Sequence, residues 1–424
     1  MLSKDTFPKV LVTGTKGKTS IVHLISTILR STRNNILRVD TGGSYLNEKQ
    51  ITSYDDSVRN FGKSPNVRPG RYLYWHLKNL PSNEINTFMT VLEGALSCSH
   101  EGTGLEEYGG HDIGILSNIF RDHINFETIK NEDDIYDRKS FVFKQICSNG
   151  LFITTLDNKY NLRALNESTL QEKSIRKIAI SIDIKPEQVH ETMHKYNLED
   201  ILYLDNGEAK SERKGKIFKL TDYPYYLDGF GTAMLTNALI ASAACLEYLN
   251  PKTIEEVLTS YRIPKEYGRM LVYKRGEQHI VLDYAHEIES LKIVTETFRK
   301  YYKKDPYIIT RVASDRKDGF LKEFADKLSL LENIKGLTIY DRIDGINSKM
   351  YRVGKLKREI GESSGLIYKR LKNNNPLYPI KWILNEQDAL SDACANDQKL
   401  IILIHSNLDK SIKLLEQNGF VRDK

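Results

Sequence analysis

Apolar positions along this chain follow two alternating spacings. Short runs rich in β-branched residues give way to longer segments in which apolar residues recur every three or four positions, and this alternation predicts an α/β fold with a mostly parallel sheet. Lys9–Thr13 (KVLVT) is a predicted first strand, followed by a glycine-rich turn and an amphipathic helix over Lys18–Arg30. Further strands are predicted at Ile36–Asp40, Thr87–Glu93, Asp112–Ile119 and Leu151–Thr155, with helices over Glu132–Gln145 and Gly231–Leu249. Asn197–Asp222 is polar and turn-rich, and reads as an excursion carrying one or two surface strands. The helical pattern of Ile254–Tyr261 stops at Ile263-Pro264. A second series then begins, with strands at Met270–Tyr273, His279–Asp283, Tyr307–Val312, Leu337–Tyr340 and Leu400–Ile404 and a closing helix at Leu408–Gln417. The expected boundary lies near residue 267, dividing the chain into 1–267 and 268–424.

Composition adds limits. The 424 residues are 40% apolar and 28% charged, a soluble globular balance with ample core. The longest apolar run, Ala238–Cys245, is far short of the roughly 18 residues of a membrane helix. The start, MLSKDTFPKVLVTG, lacks a signal-peptide layout, so neither secretion nor membrane insertion is expected. Four separated cysteines without a C-x-x-C pair argue against zinc ribbons and disulfide frameworks and fit a reducing cytoplasm. The net charge of +6 is spread along the chain, which gives no footprint for nucleic acid but suits an acidic small molecule such as a nucleotide.

The strongest chemical signal is GTKGKTS, Gly14–Ser20, between the first strand and the first helix. Glycines let successive N–H groups turn toward phosphate oxygens, and the helix N-terminus adds its positive dipole end. Lys18 supplies a mobile charge for the outer phosphates, and the Thr19 hydroxyl can bind Mg²⁺. The general G-x-x-x-x-G-K-[ST] pattern wants glycine at Val12, so this is a shorter variant framed by Gly14 and Gly17. The expected fold class is therefore α/β: a P-loop ATPase domain with a mostly parallel sheet, then a smaller C-terminal Rossmann-like α/β domain. Glu93 ends a predicted strand, and its carboxylate would emerge at the carboxyl edge beside the loop. GILSNIFRDH puts Asn118, Asp122 and His123 at the same edge. A hard dication prefers oxygen, so spacing alone leaves His123 open between a ligand and a surface or helix-start residue.

The ordered series GTKGKTS, strand-Glu93, SNIFRDH and a lysine on the next helix resembles the Mur ligase superfamily of ATP-dependent amide-forming ligases. TNALIASAA (Thr236–Ala244), YGRM (Tyr267–Met270), LDYAHEIESL (Leu282–Leu291) and ASDRKDG (Ala313–Gly319) continue the resemblance in order, with a weaker tail at IILIHSNLDKSIKLLE. Within the superfamily the chain resembles the ligase module of cyanophycin synthetase in particular, through LEGALSCSHEGTGLEEYGGHDIGILSNIFRDH and the long interval from His123 to Lys139. One departure is DYAHEI, where Glu287 and Ile288 replace the Asn-Pro of the family's D-x-A-H-N-P.

The resemblance implies that Gly14, Thr15, Lys16, Gly17, Lys18, Thr19 and Ser20 hold ATP phosphates. It implies one Mg²⁺ on Thr19 and Glu93 and a second on His123. Lys139 matches a lysine carbamylated in many members; a solvated helix lysine is the plain alternative. Asn237 resembles a nucleotide-contacting asparagine, and Arg269 the arginine that reaches the γ-phosphate when domains close. Asp283 resembles the ribose-side aspartate and His286 its loop neighbour, while Asp315 and Arg316 resemble a substrate-facing loop. Basic, aromatic VRPGRYLYWHLKNL (Val67–Leu80) reads either as a half-buried helix or as an acceptor grip through Arg71.

The implied activity is amide-bond formation through an acyl phosphate, with Lys18, His123, Lys139 and Arg269 as the catalytic set and ADP and phosphate as products. The first predicted strand starts near residue 9, so no uridine-nucleotide domain is expected ahead of it, and no ATP-grasp half. Amino-acid or peptide substrates and a possible partner ligase are therefore expected. The alternatives are a folylpolyglutamate or poly-γ-glutamate type ligase, and an ATP-binding subunit of an amidotransferase-type complex.

Overall fold

The computed structural model describes residues 7–32, 35–77, 88–121, 129–312, 318–341, 361–396 and 398–423, the side chains of residues 74 and 75 excepted. The chain divides into two compact units, Met1–Tyr261 and Arg262–Lys424.

In the first unit, eleven strands among the described residues form one sheet. They are β1 (Lys9–Thr13), β2 (Asn35–Asp40), β3 (Gly43–Leu46), β4 (Lys49–Ser53), β5 (Phe88–Glu93), β6 (His111–Leu116), β7 (Ile146–Thr155), β8 (Arg176–Ile180), β9 (Asp200–Asp205), β10 (Glu208–Ser211) and β11 (Gly215–Lys219). Their order is β11-β10-β9-β8-β7-β6-β1-β5-β2-β3-β4. From β9 to β2 every neighbouring pair is parallel, and antiparallel strands extend both edges. β1 and β5 are buried along their whole lengths, as strands covered on both faces must be. The helix Lys18–Arg30 buries Ile21, Leu24, Ile25 and Ile28 completely, each contributing roughly 1.5–3 kcal/mol relative to exposure. It packs against the helix Thr232–Cys245. The alanines of that second helix leave little side-chain bulk between the two.

Several elements depart from their expected bounds for identifiable reasons. The strand expected over Asp112–Ile119 ends at Leu116, because from Ser117 onward the backbone is engaged by the turn after β1. The helix expected over Glu132–Gln145 is two segments, Glu132–Lys139 and Phe141–Lys144. At the break, the Ser140 hydroxyl donates to Asp137 O at 2.7 Å, the local competition with helical bonding that serine offers. Asn197–Asp222 is more than a surface excursion: β9 joins β8 in parallel and buries Ile201 and Leu202 fully. The β3–β4 hairpin leaves no sequence signal, since its turn uses Asn47 (φ 51°) and Glu48 (φ 66°) where glycine is the usual mark.

The second unit holds, among the described residues, a seven-stranded sheet of β12 (Leu271–Arg275), β13 (Gln278–Asp283), β14 (Tyr307–Thr310), β15 (Gly336–Ile339), β16 (Ile380–Trp382), β17 (Leu400–Ile404) and β18 (Val421–Arg422). The order is β16-β15-β14-β17-β13-β12-β18, parallel from β16 to β13 and antiparallel beyond. No helix among the described residues is long and apolar enough to cross a membrane.

Candidate active site

The loop after β1 is a fixed cradle. Gly14 (φ +141°) and Gly17 (φ +84°) take conformations that side chains rarely adopt. A Cβ on Gly14 would collide with Ser117 Oγ, and one on Gly17 would lie 2.6 Å from Asn237 Oδ1. The end of β6 holds the loop from outside. Thr15 N donates to Asn118 O and Lys16 N to Asn118 Oδ1, both at 2.8 Å, and Ser117 Oγ donates to Lys16 O at 2.7 Å. Asn118, expected from sequence at the sheet edge near a metal, is thus a clamp on the phosphate loop. Lys18 Nζ folds back to Thr15 O at 3.1 Å. The helix beginning at Lys18 has no side-chain cap and no acidic residue in its first turn. Its leading N–H groups therefore suit an anion, to which the dipole end adds.

Beside this cradle, β5 delivers Glu93 next to Val12 of β1. The carboxylate is 1% exposed. It accepts from Thr19 Oγ1 at 2.8 Å, Thr41 Oγ1 at 2.9 Å and Asn66 Nδ2 at 2.8 Å. Thr19 and Glu93, predicted as partners on a metal, are therefore in direct contact. Among the described residues no Lys or Arg forms an ion pair with Glu93, and a buried carboxylate without a counter-cation is costly. A carboxylate and a hydroxyl are hard oxygen donors of the kind Mg²⁺ takes, and Mg²⁺ completes its shell with water and phosphate oxygens. Among the described residues no group of three or more His, Cys, Asp or Glu could hold a metal without such additions. Thr41 and Asn66 have no signal in the sequence; Thr41 follows β2 and Asn66 lies in the short 3-10 turn Pro65–Val67, neither carries a motif of its own, and only proximity to Glu93 reveals them.

Lys139 is 5% exposed, with Nζ 3.5 Å from Thr13 Oγ1. The solvated-lysine alternative is overturned: the side chain lies buried under the end of β1. Asn237, 8% exposed, stands against Gly17. Ser20 sits in the first turn of the Lys18–Arg30 helix. His123 and Asp122 lie outside the described residues, as do Asp315 and Arg316. The Val67–Leu80 stretch is helical over Arg71–Leu77, and residues 78–80 lie outside the described set. Arg71 lines a cleft of about 390 Å³ with Phe61, Lys63, Arg68 and Glu101. Its guanidinium stands 4.9 Å from the centre of the Phe61 ring.

In the second unit, Asp283 ends β13 and is buried, accepting from Met270 N at 2.9 Å and Tyr284 N at 2.7 Å. Burial pushes its carboxyl above the usual aspartate range, against the opposing Arg269 charge and these N–H donors. His286 Nδ1 donates to Tyr284 O at 2.8 Å. Arg269 rests over the Tyr284 ring, 4.7 Å from its centre. Replacement of Asn-Pro by Glu287-Ile288 does not prevent the next helix, which begins at Ile288.

A P-loop-like cradle beside a buried strand-end carboxylate, on this sheet order, defines a class. The Mur ligase middle domain matches residues 12–245, more than half of the chain, and the chain belongs to that family. Cyanophycin synthetase of Nostoc sp. is 23% identical over 426 residues, covering 98% of this chain and 43% of that protein. The chain thus spans less than half the length of these relatives. The 2,6-diaminopimelate ligase 1 of Clostridium acetobutylicum, which acts on UDP-N-acetylmuramoyl-L-alanyl-D-glutamate, is 23% identical over 379 residues, covering 85% of this chain and 70% of that protein. Among solved structures, Mycobacterium tuberculosis folylpolyglutamate synthase complexed with ADP superposes with a TM-score of 0.64 at 11% identity, over 99% of this chain and 92% of that one. MurF from Acinetobacter baumannii superposes with a TM-score of 0.60 at 13% identity, over 97% and 76%. These two share the fold.

Proposed function

We propose that this chain is an ATP-dependent ligase that joins a carboxylate to an amine, adding an amino acid to an amino-acid or peptide acceptor in the manner of cyanophycin synthetase, in the cytoplasm. The observation that carries the reading is an uncapped helix N-terminus and glycine cradle set beside Glu93, a buried carboxylate bonded to Thr19 and without a counter-cation among the described residues.

A carboxylate is a poor acyl donor because oxide would have to leave. Transfer of the γ-phosphoryl group to a carboxylate oxygen breaks the bond to ADP and yields an acyl phosphate, from which phosphate departs readily. A neutral amine then attacks the acyl carbon, the C–O bond to phosphate breaks, and the amine loses a proton as the amide forms. The transfer gathers negative charge between two anions, so cationic clamps decide its rate. Lys18 follows the moving phosphoryl group, and Arg269 is the proposed second clamp. The loop N–H groups orient the triphosphate, and Asn237 borders it. Thr19 and Glu93 would hold one Mg²⁺ and His123 a second, supplying positive charge to the phosphate oxygens. Lys139, having added CO₂ and lost a proton, would present an anionic carbamate under the end of β1. Asp283 is proposed on the ribose side, and Arg71 as the grip for an acceptor carboxylate.

The test is a screen of amino acids and dipeptides for stimulated phosphate release, with Lys18→Ala as the control. Release with aspartate- or arginine-containing acceptors supports the cyanophycin-like reading, whereas release with glutamate or folate supports the folylpolyglutamate alternative. ATP binding without release until a partner ligase is added would assign the chain to a larger complex. No ATP binding at all refutes the proposal.

A further inference from the structure

Arg311, which follows β14, is completely buried. Among the described residues no carboxylate lies within ion-pair distance of it, and its Nη1 has no hydrogen-bond partner. Removing a guanidinium from water is expensive, and here the Glu386 carboxylate, beyond ion-pair distance, and the Tyr284 side chain favour its charge. What this arginine holds is read from its surroundings.

Arg311 Nε and Nη2 donate to His405 O at 3.3 and 3.1 Å, and its Cζ stands 5.1 Å from the centre of the Tyr284 ring. That ring is the one on which Arg269 rests, at 4.7 Å. His405 closes the circuit. Its ring lies 5.5 Å from that of Tyr284, and its Nε2 donates to Gly268 O at 2.9 Å, immediately before Arg269. Gly268 takes φ +54°, and a Cβ there would collide with His405 Nε2. On the other side of Arg269, Met270 takes φ 49°, a left-handed conformation disfavoured by roughly 1–2 kcal/mol for an L-residue. Its N–H is held by Asp283 Oδ2 at 2.9 Å. Both neighbours of Arg269 are thus fixed in unusual backbone conformations, and its side chain lies on a ring that a second arginine also engages.

We infer that Arg311 is a positioning residue, which holds the Tyr284 ring and through it presents the Arg269 guanidinium in one orientation. What Arg269 then does rests on the ligase reading; the arrangement itself does not. A preset clamp matters because a displacement of about 1 Å at a reacting group can cost about 100-fold in rate.

The direct test needs no substrate. Nitrogen-15 relaxation of the Arg269 Nε–H group is measured in the purified full chain, for the wild type and for Arg311→Met and Arg311→Lys. Lysine keeps the charge but not the planar fork. The expected result is an order parameter that drops from near the rigid value of about 0.85 to below about 0.6 in Arg311→Met, and partway in Arg311→Lys, in variants that still unfold cooperatively. Unchanged order at Arg269 in both variants would overturn the inference. If Arg311→Met does not fold, Arg311→Lys alone decides. A second readout is a double-mutant cycle on acceptor-stimulated phosphate release. Arg311→Met should lower kcat about 10- to 100-fold in the wild type but add less than about twofold once Arg269 is alanine. Losses that multiply would indicate a merely structural role and defeat the inference. If no acceptor ever stimulates release, the ligase reading fails while the relaxation measurement still decides whether Arg311 orders Arg269.

Discussion

Replacing Glu93 with glutamine separates the two things this carboxylate can be: a structural hydrogen-bond hub or a charged ligand. The carboxylate accepts three hydrogen bonds, from Thr19, Thr41 and Asn66. Bonds to an ionised acceptor are roughly twice as strong as neutral ones, so the substitution weakens each by about 1 kcal/mol, or about 3 kcal/mol in all. Against this, a buried carboxylate carries an effective desolvation penalty of several kcal/mol that the neutral amide escapes. The shape is retained. Glutamine Oε1 can face Thr41 and Asn66 while its amide donates to Thr19, whose hydroxyl can turn to accept. The two effects nearly cancel, so the melting temperature should move by no more than about 5 °C. Turnover should fall by about 100- to 1,000-fold or more, because the anionic ligand beside the phosphates is gone. The assay pairs thermal unfolding with phosphate release over a Mg²⁺ titration. Turnover within about tenfold of wild type would refute the ligand role, since glutamine keeps the three contacts, one with donor and acceptor exchanged, but not the charge.

Three further outcomes follow from the geometry. Asn66→Ala removes a buried donor from an ionised acceptor and should destabilise the chain by about 1.5–3 kcal/mol in denaturant unfolding, with the Mg²⁺ dependence kept; no loss of stability would mean that the bond contributes nothing. Gly17→Ala forces a Cβ at φ +84° against Asn237, adding about 1–2 kcal/mol of backbone strain before the clash, and should cut ATP affinity measured calorimetrically by at least about tenfold. His111 is buried, with Nε2 donating to Val142 O at 2.7 Å, and burial lowers its pKa from 6.5 to about 4. The folded state therefore binds fewer protons than the unfolded one below pH 6.5. The associated stability is intact above that pH and falls as the solution is acidified toward pH 4, by about 2 kcal/mol at pH 5. His111→Gln should flatten the stability profile between pH 7 and pH 5 by that amount, and an unaltered slope would contradict the burial argument.

Much of this fold is written locally. KVLVT, the Lys18–Arg30 helix, LIILI and the Leu408–Gln417 helix lie where hydrophobic periodicity puts them, because burial on one or both faces constrains composition residue by residue. The glycine loop is legible for the same reason: an anion cradle needs particular residues at adjacent positions. Sequence alone could also nominate Thr19, Glu93, Lys139 and Asn237, but only as separate bets. Tertiary structure decided that Thr19 touches Glu93, that Lys139 is buried under β1, and that Asn237 borders Gly17. It alone revealed Thr41, Asn66, the clamp by Asn118 and the buried Arg311 on the Tyr284 ring. These depend on strand ends brought together by parallel pairing across large sequence separations, and no short-range pattern records which loop meets which.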